Sequence, residues 1–402
     1  MKARRTISLP FALSLSKGMR PPLCIVTPFF PRMPGKPAVH GPVTFRLQPT
    51  GNTMHYRHED LIHYAQSLLT AAGLEPAKAG AVAEILVEGD LMGHNTHGLA
   101  LLPGYLGELE TGSMEKLGAP TVLADHPAAL TWDGHRLPGP WLVLEAMALA
   151  AERAAIQGTC TVVIRRSHHI ACLAAYLKRA TDKGLLMLLT CSDPNSASVA
   201  PFGGLDAVFT PNPISAGIPT GDVPVLMDVS TSATTNGMTN RLHKEGKRLP
   251  AAWVMDGHGK ASDNPAVLFE EPKGTILPLG GMDSGHKGYG LTLLVEALTG
   301  GLAGHGRADA REGWGATVFL QIMDPRAFAG LDAFERQTGH VAEACRSSRP
   351  AREGTAVRTP GEKGLALAER QKQAGVALYP SILPTLSSWA VKLGVTEPAA
   401  IP

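Results

Sequence analysis

The sequence predicts an α+β fold: a mixed sheet covered by helices, with a helical region ahead of it and further helices behind. Three observations lead there. Apolar residues recur at three-to-four spacing over Tyr56 to Ala72 and again over Ala77 to Met92, the period of helices that each bury one face. From Thr121 to Met227 short strand-like runs alternate with helical ones, a pattern that needs a sheet with helices packed on it. No strand-like run leads into a G-x-G-x-x-G turn that opens a helix, and no G-x-x-x-x-G-K-[ST] loop is present, so neither common phosphate-binding fingerprint is there.

The elements follow in order. Residues 1 to 53 carry nine prolines and no helical or alternating period. Lys2, Arg4 and Arg5 ahead of Ile7 to Leu15 imitate a signal peptide, but Pro10 interrupts the apolar stretch and no small-x-small cleavage site follows. This segment is expected to be a disordered or mis-started extension, with Met54 as a candidate start. Gly73-Leu74-Glu75-Pro76 separates the first two helices, and Pro76 suits a first helical turn. The second helix gives way at His94-Asn95-Thr96-His97-Gly98 to another apolar stretch, Leu99 to Leu109. Thr121 to Ala124 and Ala128 to Trp132 read as short strands before a turn at Asp133-Gly134, and Trp141 to Gln157 as an Ala-rich helix. Strand Thr161 to Ile164, helix Ala171 to Lys183 and strands Leu185 to Thr190 and Val223 to Met227 complete the middle. A helix follows Lys287 to about Gly300; Trp314 to Met323 reads as a strand, and Phe328 to Cys345, Gly361 to Ala374 and Ile382 to Leu393 as helices returning to the first region.

Composition removes several function classes. A formal charge of +2 without a basic run, and 5% aromatic residues, argue against nucleic acid as a partner. No stretch approaches the roughly 20 apolar residues of a membrane-spanning helix, so no membrane partner is expected. Five cysteines (Cys24, Cys160, Cys172, Cys191, Cys345) form no C-x-x-C pair, which points to a reducing compartment and a cytoplasmic location.

The polar cluster around His97 carries the chemistry. A helix end holds a titratable ring in a defined pose, and imidazole titrates near neutral pH, so His97 reads either as a proton donor to a reacting oxygen or as a helix cap. His94-x-x-His97 with His168-His169 also offers imidazoles to a metal, yet adjacent histidines rarely aim at one ion and no acidic residue is spaced as a metalloprotease base. No metal is expected. Asp228 ends a strand-like run and enters Val229-Ser230-Thr231-Ser232, whose hydroxyls and amides suit ribose and phosphate or, equally, a helix cap. Lys287 reads as a cation at a helix start, where the dipole disfavours it unless an anion is bound.

An ordered set of motifs extends these readings. Asn95-Thr96-His97-Gly98, His168-His169, Pro201-Phe202-Gly203-Gly204, Asn212-Pro213-Ile214, Asp228-Val229-Ser230-Thr231-Ser232, Pro278-Leu279-Gly280-Gly281 and His286-Lys287-Gly288-Tyr289-Gly290-Leu291 follow one another in this order. With them the chain, over about residues 55 to 395, resembles the type-2 malate/L-lactate dehydrogenase family, which includes ureidoglycolate, sulfolactate and diketogulonate enzymes and piperideine-2-carboxylate reductase. The resemblance implies a large, mostly antiparallel, non-Rossmann sheet that binds NAD or NADP. It implies a cofactor domain over 121–324, a helical substrate and dimer region over 54–120 plus about 325–402, and a homodimer. His97 is then the proton donor oriented by Thr96, and His169 polarises the carbonyl or supplies the acid. Asp228, Val229 and Ser230 line the dinucleotide site, Asp228 also bracing the histidine. Lys287 and Gly288 meet a cofactor phosphate, and Ser192, Pro360, Gly361 and Glu362 are further cofactor contacts.

The chain departs from that pattern at the substrate. Many members carry an arginine four residues after the histidine; here Leu101 stands there, and Gly104 and Met92 stand at two other frequent arginine positions. A bidentate carboxylate fork is therefore missing. Arg166 and His168, beside His169, are the candidates for a displaced substrate contact; alternatively the substrate is larger, less acidic or cyclic. The expected function is an NAD(P)H-dependent oxidoreductase interconverting a small acidic 2-oxo acid and its 2-hydroxy acid. A cyclic imino acid reductase and a non-catalytic nucleotide-binding relative are the alternatives. A chain begun at Met54 is expected to keep the activity and the thermal midpoint of the full chain; a loss of several degrees counts against reading residues 1–53 as an extension.

Overall fold

A computed structural model describes residues 54–401, so the expectation for residues 1–53 lies outside the described residues. In chain order the strands and helices are β1 (His55–Tyr56), α1 (His58–Ala71), α2 (Pro76–Leu91), α3 (Leu102–Thr111), β2 (Thr121–His126), β3 (Ala129–Asp133), α4 (Gly139–Gln157) and β4 (Thr159–Ser167). Then come α5 (Ala174–Thr181), β5 (Leu186–Ser192), β6 (Ile214–Ile218), β7 (Val225–Val229), α6 (Asn236–Lys244), β8 (Val254–Met255), β9 (Ala261–Ser262) and β10 (Thr275–Ile276). The chain closes with α7 (Gly281–Glu296), β11 (Ala316–Met323), α8 (Leu331–Arg346), α9 (Glu362–Ala374), β12 (Val376–Ala377) and α10 (Ile382–Leu393).

The main sheet has seven strands in the order β2-β3-β4-β11-β5-β6-β7. Only β3 and β4 run parallel; the other neighbours are antiparallel, as expected for this sheet. The parallel pair is joined by α4, the crossover that parallel strands require. Two small sheets, β10-β8-β9 and β1-β12, stand beside it. One apolar cluster runs from Leu61 and Leu68 on α1 through Val82 and Leu86 on α2, Leu142 and Ala146 on α4, Val162 and Ile164 on β4 and Leu320 on β11 to Leu386 on α10. Among the described residues no helix is long and apolar enough to cross a membrane.

Several elements differ from expectation for identifiable reasons. Strand β4 extends from Thr159 to Ser167, beyond the apolar run at 161–164, because its polar ends still pair with Met323 and Ala316 of β11. Strand β6, flanked by Pro213 and holding Gly217, was not expected; Gly217 is needed there because a Cβ would come within 3.0 Å of the Leu177 carbonyl on α5. The helix expected from Ala171 begins at Ala174, since Ala171 itself adopts φ +58°. Helix α7 begins at Gly281, so Lys287 lies in its second turn. The dipole at the helix start therefore does not act on Lys287, as that effect fades within the first turn.

The exit of β4 and the entry of α4 are laced together. Gly134 and Arg136 donate backbone N–H groups to the carbonyls of Arg165 (2.8 Å) and Arg166 (2.6 Å), and His168 donates to that of Leu137 (3.1 Å). Gly139, the first residue of α4, lies so near the next turn that a Cβ on it would collide with the carbonyl oxygens of His168 and His169. Gly139→Ala is expected to destabilise the fold by about 1–3 kcal/mol through overpacking, read as a lower urea midpoint at an unchanged slope.

Candidate active site

At the end of α2 the chain reverses through His94 to Gly98 into a 3₁₀ turn, Leu99–Leu101. The reversal is held from within by Asp90, whose buried carboxylate accepts the Leu99 N–H at 2.7 Å. That carboxylate fills the space beside Gly98, where any Cβ would run into it. From the other side the Gln371 amide on α9 donates to the carbonyls of Asp90 (3.0 Å) and Leu91 (2.9 Å). Burial raises the Asp90 carboxyl to about 7 against the opposing pull of the Leu99 N–H, and its Oδ1 has no hydrogen-bond partner.

His97 is placed by this turn. Its Nδ1 lies 2.9 Å from the Thr96 hydroxyl, and its ring lies 6.2 Å from that of His169, the planes 26° apart. Burial, with His94 adding repulsion, lowers its pKa to about 4. His97 is therefore a neutral imidazole at pH 7, not the poised acid expected from its unperturbed pKa.

His169 follows β4. Its Nδ1 lies 2.9 Å from the Tyr105 hydroxyl on α3 and 3.3 Å from the Ala171 N–H. A backbone amide can only donate, so Nδ1 accepts and the ring hydrogen sits on Nε2. Burial, with repulsion from His97 and His168, holds its pKa well below the usual histidine value. His168 is fully buried, its Nε2 3.4 Å from the Glu108 carboxylate, and burial with the neighbouring Arg136 lowers it to about 3. It is a neutral packing residue and offers no cation to a substrate.

The other expected contacts divide. Arg166 pairs with Asp133 (3.3 Å) and Glu312 (3.0 Å), so its guanidinium faces two carboxylates of the chain and the clamp reading loses its support. Asp228, in β7 opposite Ser215, accepts the Ala174 N–H (2.9 Å) and the Cys172 thiol (3.9 Å). Its ionisable neighbour is His94, which opposes the upward shift that burial gives it, so the expected bracing of His97 is replaced by contacts to His94 and α5. His94, Cys172 and Asp228 place ligand-type atoms within 4.8 Å of one another, whereas the four histidines weighed as a metal set do not gather in this way.

The expected cofactor residues lie around β7 and α7. Thr231 joins the two: its amide bonds to Pro211, its carbonyl accepts the Leu279 N–H, and its hydroxyl accepts from Thr292 on α7 (2.8 Å). Lys287 is exposed there; Gly288 is buried against Leu279 and has no room for a Cβ. Val229 is 41% exposed, with Ser230 half-buried beside it. Pro360 accepts the Leu226 N–H (3.0 Å), which sets Gly361 against β7, while Glu362 pairs with Arg346 and accepts from Thr359 (2.8 Å). Ser192 is buried and donates to Glu296 (2.8 Å), which also accepts from Asn212 (2.7 Å) and Arg307 (2.8 Å).

Three members of the site were not read from the sequence. Asp90 lies in the apolar-periodic stretch Ala77 to Met92 with no local signature of its own. Tyr105 was counted within an apolar stretch, and Trp314 as the start of a strand. The Trp314 ring lies 4.8 Å from His169, 5.2 Å from His168 and 5.4 Å from Tyr105.

Residues 56–387 match a model of the malate/L-lactate dehydrogenase family. The chain belongs to that family. It is 31% identical over 343 residues to an L-lactate dehydrogenase of Cupriavidus necator, covering 84% of this chain and 97% of the relative. It is 29% identical over 353 residues to a malate dehydrogenase of Pyrococcus horikoshii, covering 86% and 97%. The solved structure of a P. horikoshii malate dehydrogenase superposes with a TM-score of 0.77 at 27% identity, over 86% of this chain and 97% of that one. A Δ1-piperideine-2-carboxylate reductase of Pseudomonas syringae pv. tomato superposes at 0.74 and 25% identity, over 84% and 100%. This malate/L-lactate dehydrogenase family member is thus an oxidoreductase.

Asp90 is held protonated by burial up to about neutral pH. Its folded pKa of about 7 lies above the ordinary 3.8, so between these values the folded state keeps a proton that the unfolded chain releases, and the stability present below about pH 4 is lost progressively as pH rises to about 7. Asp90→Asn, which stays uncharged, is therefore expected to gain stability relative to the parent between pH 5 and pH 8. Asp90→Ala removes the acceptor for Leu99 as well and is expected to lose about 1–3 kcal/mol at pH 5, read by urea titration.

Proposed function

We propose that the protein interconverts a small 2-oxo acid and its 2-hydroxy acid with NAD or NADP, His97 carrying the proton. The observation that supports this most is the pair of neutral imidazoles, His97 and His169, facing each other 6.2 Å apart in a chain of this family. If His97 donates its Nδ1–H to Thr96, its Nε2 lone pair is free to take the hydroxyl proton of a 2-hydroxy acid. The Nε2–H of His169 is a donor suited to the same oxygen, binding it more strongly as negative charge develops. In the reverse direction His97 must first be protonated. At pH 7 only about one part in 10³ of an imidazole of pKa about 4 is charged, and an anionic substrate brought beside it raises that fraction.

The chain's donor set fits a dinucleotide. Lys287 is exposed on α7, and a Cβ on Gly281 or Gly290, on either side of it in the sequence, would meet nothing within 4 Å. An ammonium with open backbone beside it and the Ser230 hydroxyl at the end of β7 suit cofactor phosphate and ribose. When bound, the nicotinamide takes or returns the hydride at carbon 2 of the substrate. Asp228 contributes by holding the start of α5 and facing His94, and Ser192 and Glu362 by fixing the frame through Glu296 and Arg346. The same reading makes the protein a cytoplasmic homodimer; Cys160, Cys172, Cys191 and Cys345 are free thiols, as a reducing compartment allows.

A cyclic imino acid is the second reading, favoured by the likeness to the piperideine-2-carboxylate reductase and by Leu101 where an arginine is frequent. Oxidation of NADH and NADPH against a panel of 2-oxo acids and cyclic imino acids separates the two. Binding of NADH without oxidation by any of them would point to a non-catalytic relative. His97→Ala is expected to lower turnover by about 10²–10⁴-fold with NADH affinity changed no more than a few-fold; unchanged turnover removes His97 from the mechanism. With the parent, kcat/KM for 2-hydroxy acid oxidation is expected to stay level as pH falls from 7 to 5 and to drop near pH 4, where His97 takes up a proton.

A further inference from the structure

We propose that Trp314 is a specificity-determining wall of the substrate pocket, selecting acids whose group beyond carbon 2 is apolar or aromatic over those bearing a second negative charge. The inference rests on the reading that His97 and His169 hold the reacting carbon–oxygen group.

Trp314 lies beside that pair. Its indole is tilted only 30° from the His169 ring at 4.8 Å, and it packs on Tyr105 and His168 as well, so one side of His169 is closed by aromatic carbon. The indole lies over Gly104: a Cβ built there would come within 3.3 Å of its Cζ3. One turn earlier Leu101 packs against the main apolar cluster. Neither residue brings a cation to this side of the indole, and a second carboxylate bound there would need one.

The surrounding charges are already matched. Arg136 donates to the Trp314 carbonyl (3.2 Å) and the Ser113 carbonyl (2.6 Å) and lies 3.7 Å from the Glu108 carboxylate. Arg166 is bound by Asp133 and Glu312. His168 and His169 are neutral. A second carboxylate against this wall would be desolvated without a partner, whereas an alkyl or phenyl group would bury its surface on the indole. The Arg136 hydrogen bond fixes the backbone that carries the indole, so the wall is held in place.

The test uses the full chain loaded with its nicotinamide cofactor. Phenylpyruvate, 4-methyl-2-oxopentanoate and oxaloacetate are compared as substrates, and phenyllactate and malate as ligands by calorimetry, which reads binding whether or not turnover occurs. The parent is expected to favour the two apolar acids over oxaloacetate by at least about 10-fold in kcat/KM, and phenyllactate over malate by a similar factor in Kd. Trp314→Ala is expected to erase that preference mainly through KM, and Trp314→Phe, which keeps an aromatic wall, to retain most of it. A parent that prefers oxaloacetate and malate, a preference unmoved by Trp314→Ala, or binding of neither ligand overturns the inference. Trp314-dependent binding of phenyllactate without turnover of any acid upholds the wall while overturning the proposed reaction.

Discussion

The Asp90 carboxylate accepts the Leu99 N–H inside the space that Gly98 leaves by having no side chain, and the geometry of the site descends from that contact. It joins the last turn of α2 to the 3₁₀ turn that leads into α3, closing the loop that carries His94, Thr96 and His97. Helix α3 in turn carries Tyr105, which positions His169, so both imidazoles derive their placement from the same buried acceptor. Gln371 reaches in from α9 to satisfy the carbonyls at the end of α2, which ties the C-terminal helices to the same joint.

The sheet supplies the second half of the site by steric means. Strand β4 delivers His168 and His169 at its exit, and the contact with Gly139 fixes how near α4 stands to them. The electrostatic outcome is uniform: burial holds three histidines neutral, helped by His94 beside His97, Arg136 beside His168, and His97 and His168 beside His169. A site of this kind is primed to accept a proton and to donate through a defined tautomer. An anion that enters favours positive charge there.

Features with a local signature were legible in the sequence. Helices α1 and α2 followed from apolar periodicity and Pro76, and α10 matches its expected span of Ile382 to Leu393. The Asn-Thr-His-Gly run marked His97 because polar, glycine-flanked residues at a helix end stand out. Residues whose role depends on partners far away in the chain were not legible. Trp314 meets Tyr105 and His169 across some 150 to 200 positions, and nothing near it in sequence announces that contact. Strand β6 was hidden by Gly217, whose bareness answers to the Leu177 carbonyl on a helix. The same limit explains Arg166: its position beside His169 in the chain suggested a pocket, but its φ of +51° and the carboxylates of Asp133 and Glu312 turn it elsewhere.

The contact between Gly104 and Trp314 couples two positions that lie more than two hundred residues apart in the chain, and it constrains the order in which descendants of this protein can change. A side chain at 104 presses on the indole from its first carbon, 3.3 Å from Cζ3, so the ring must give by a few tenths of an ångström to admit it. Shrinking the indole first opens the space, after which substitution at 104 becomes sterically free. The two changes are therefore non-additive. One order of mutation passes through a crowded intermediate and the other through a cavity, so the history of a lineage at position 314 decides which residues are open to it at position 104.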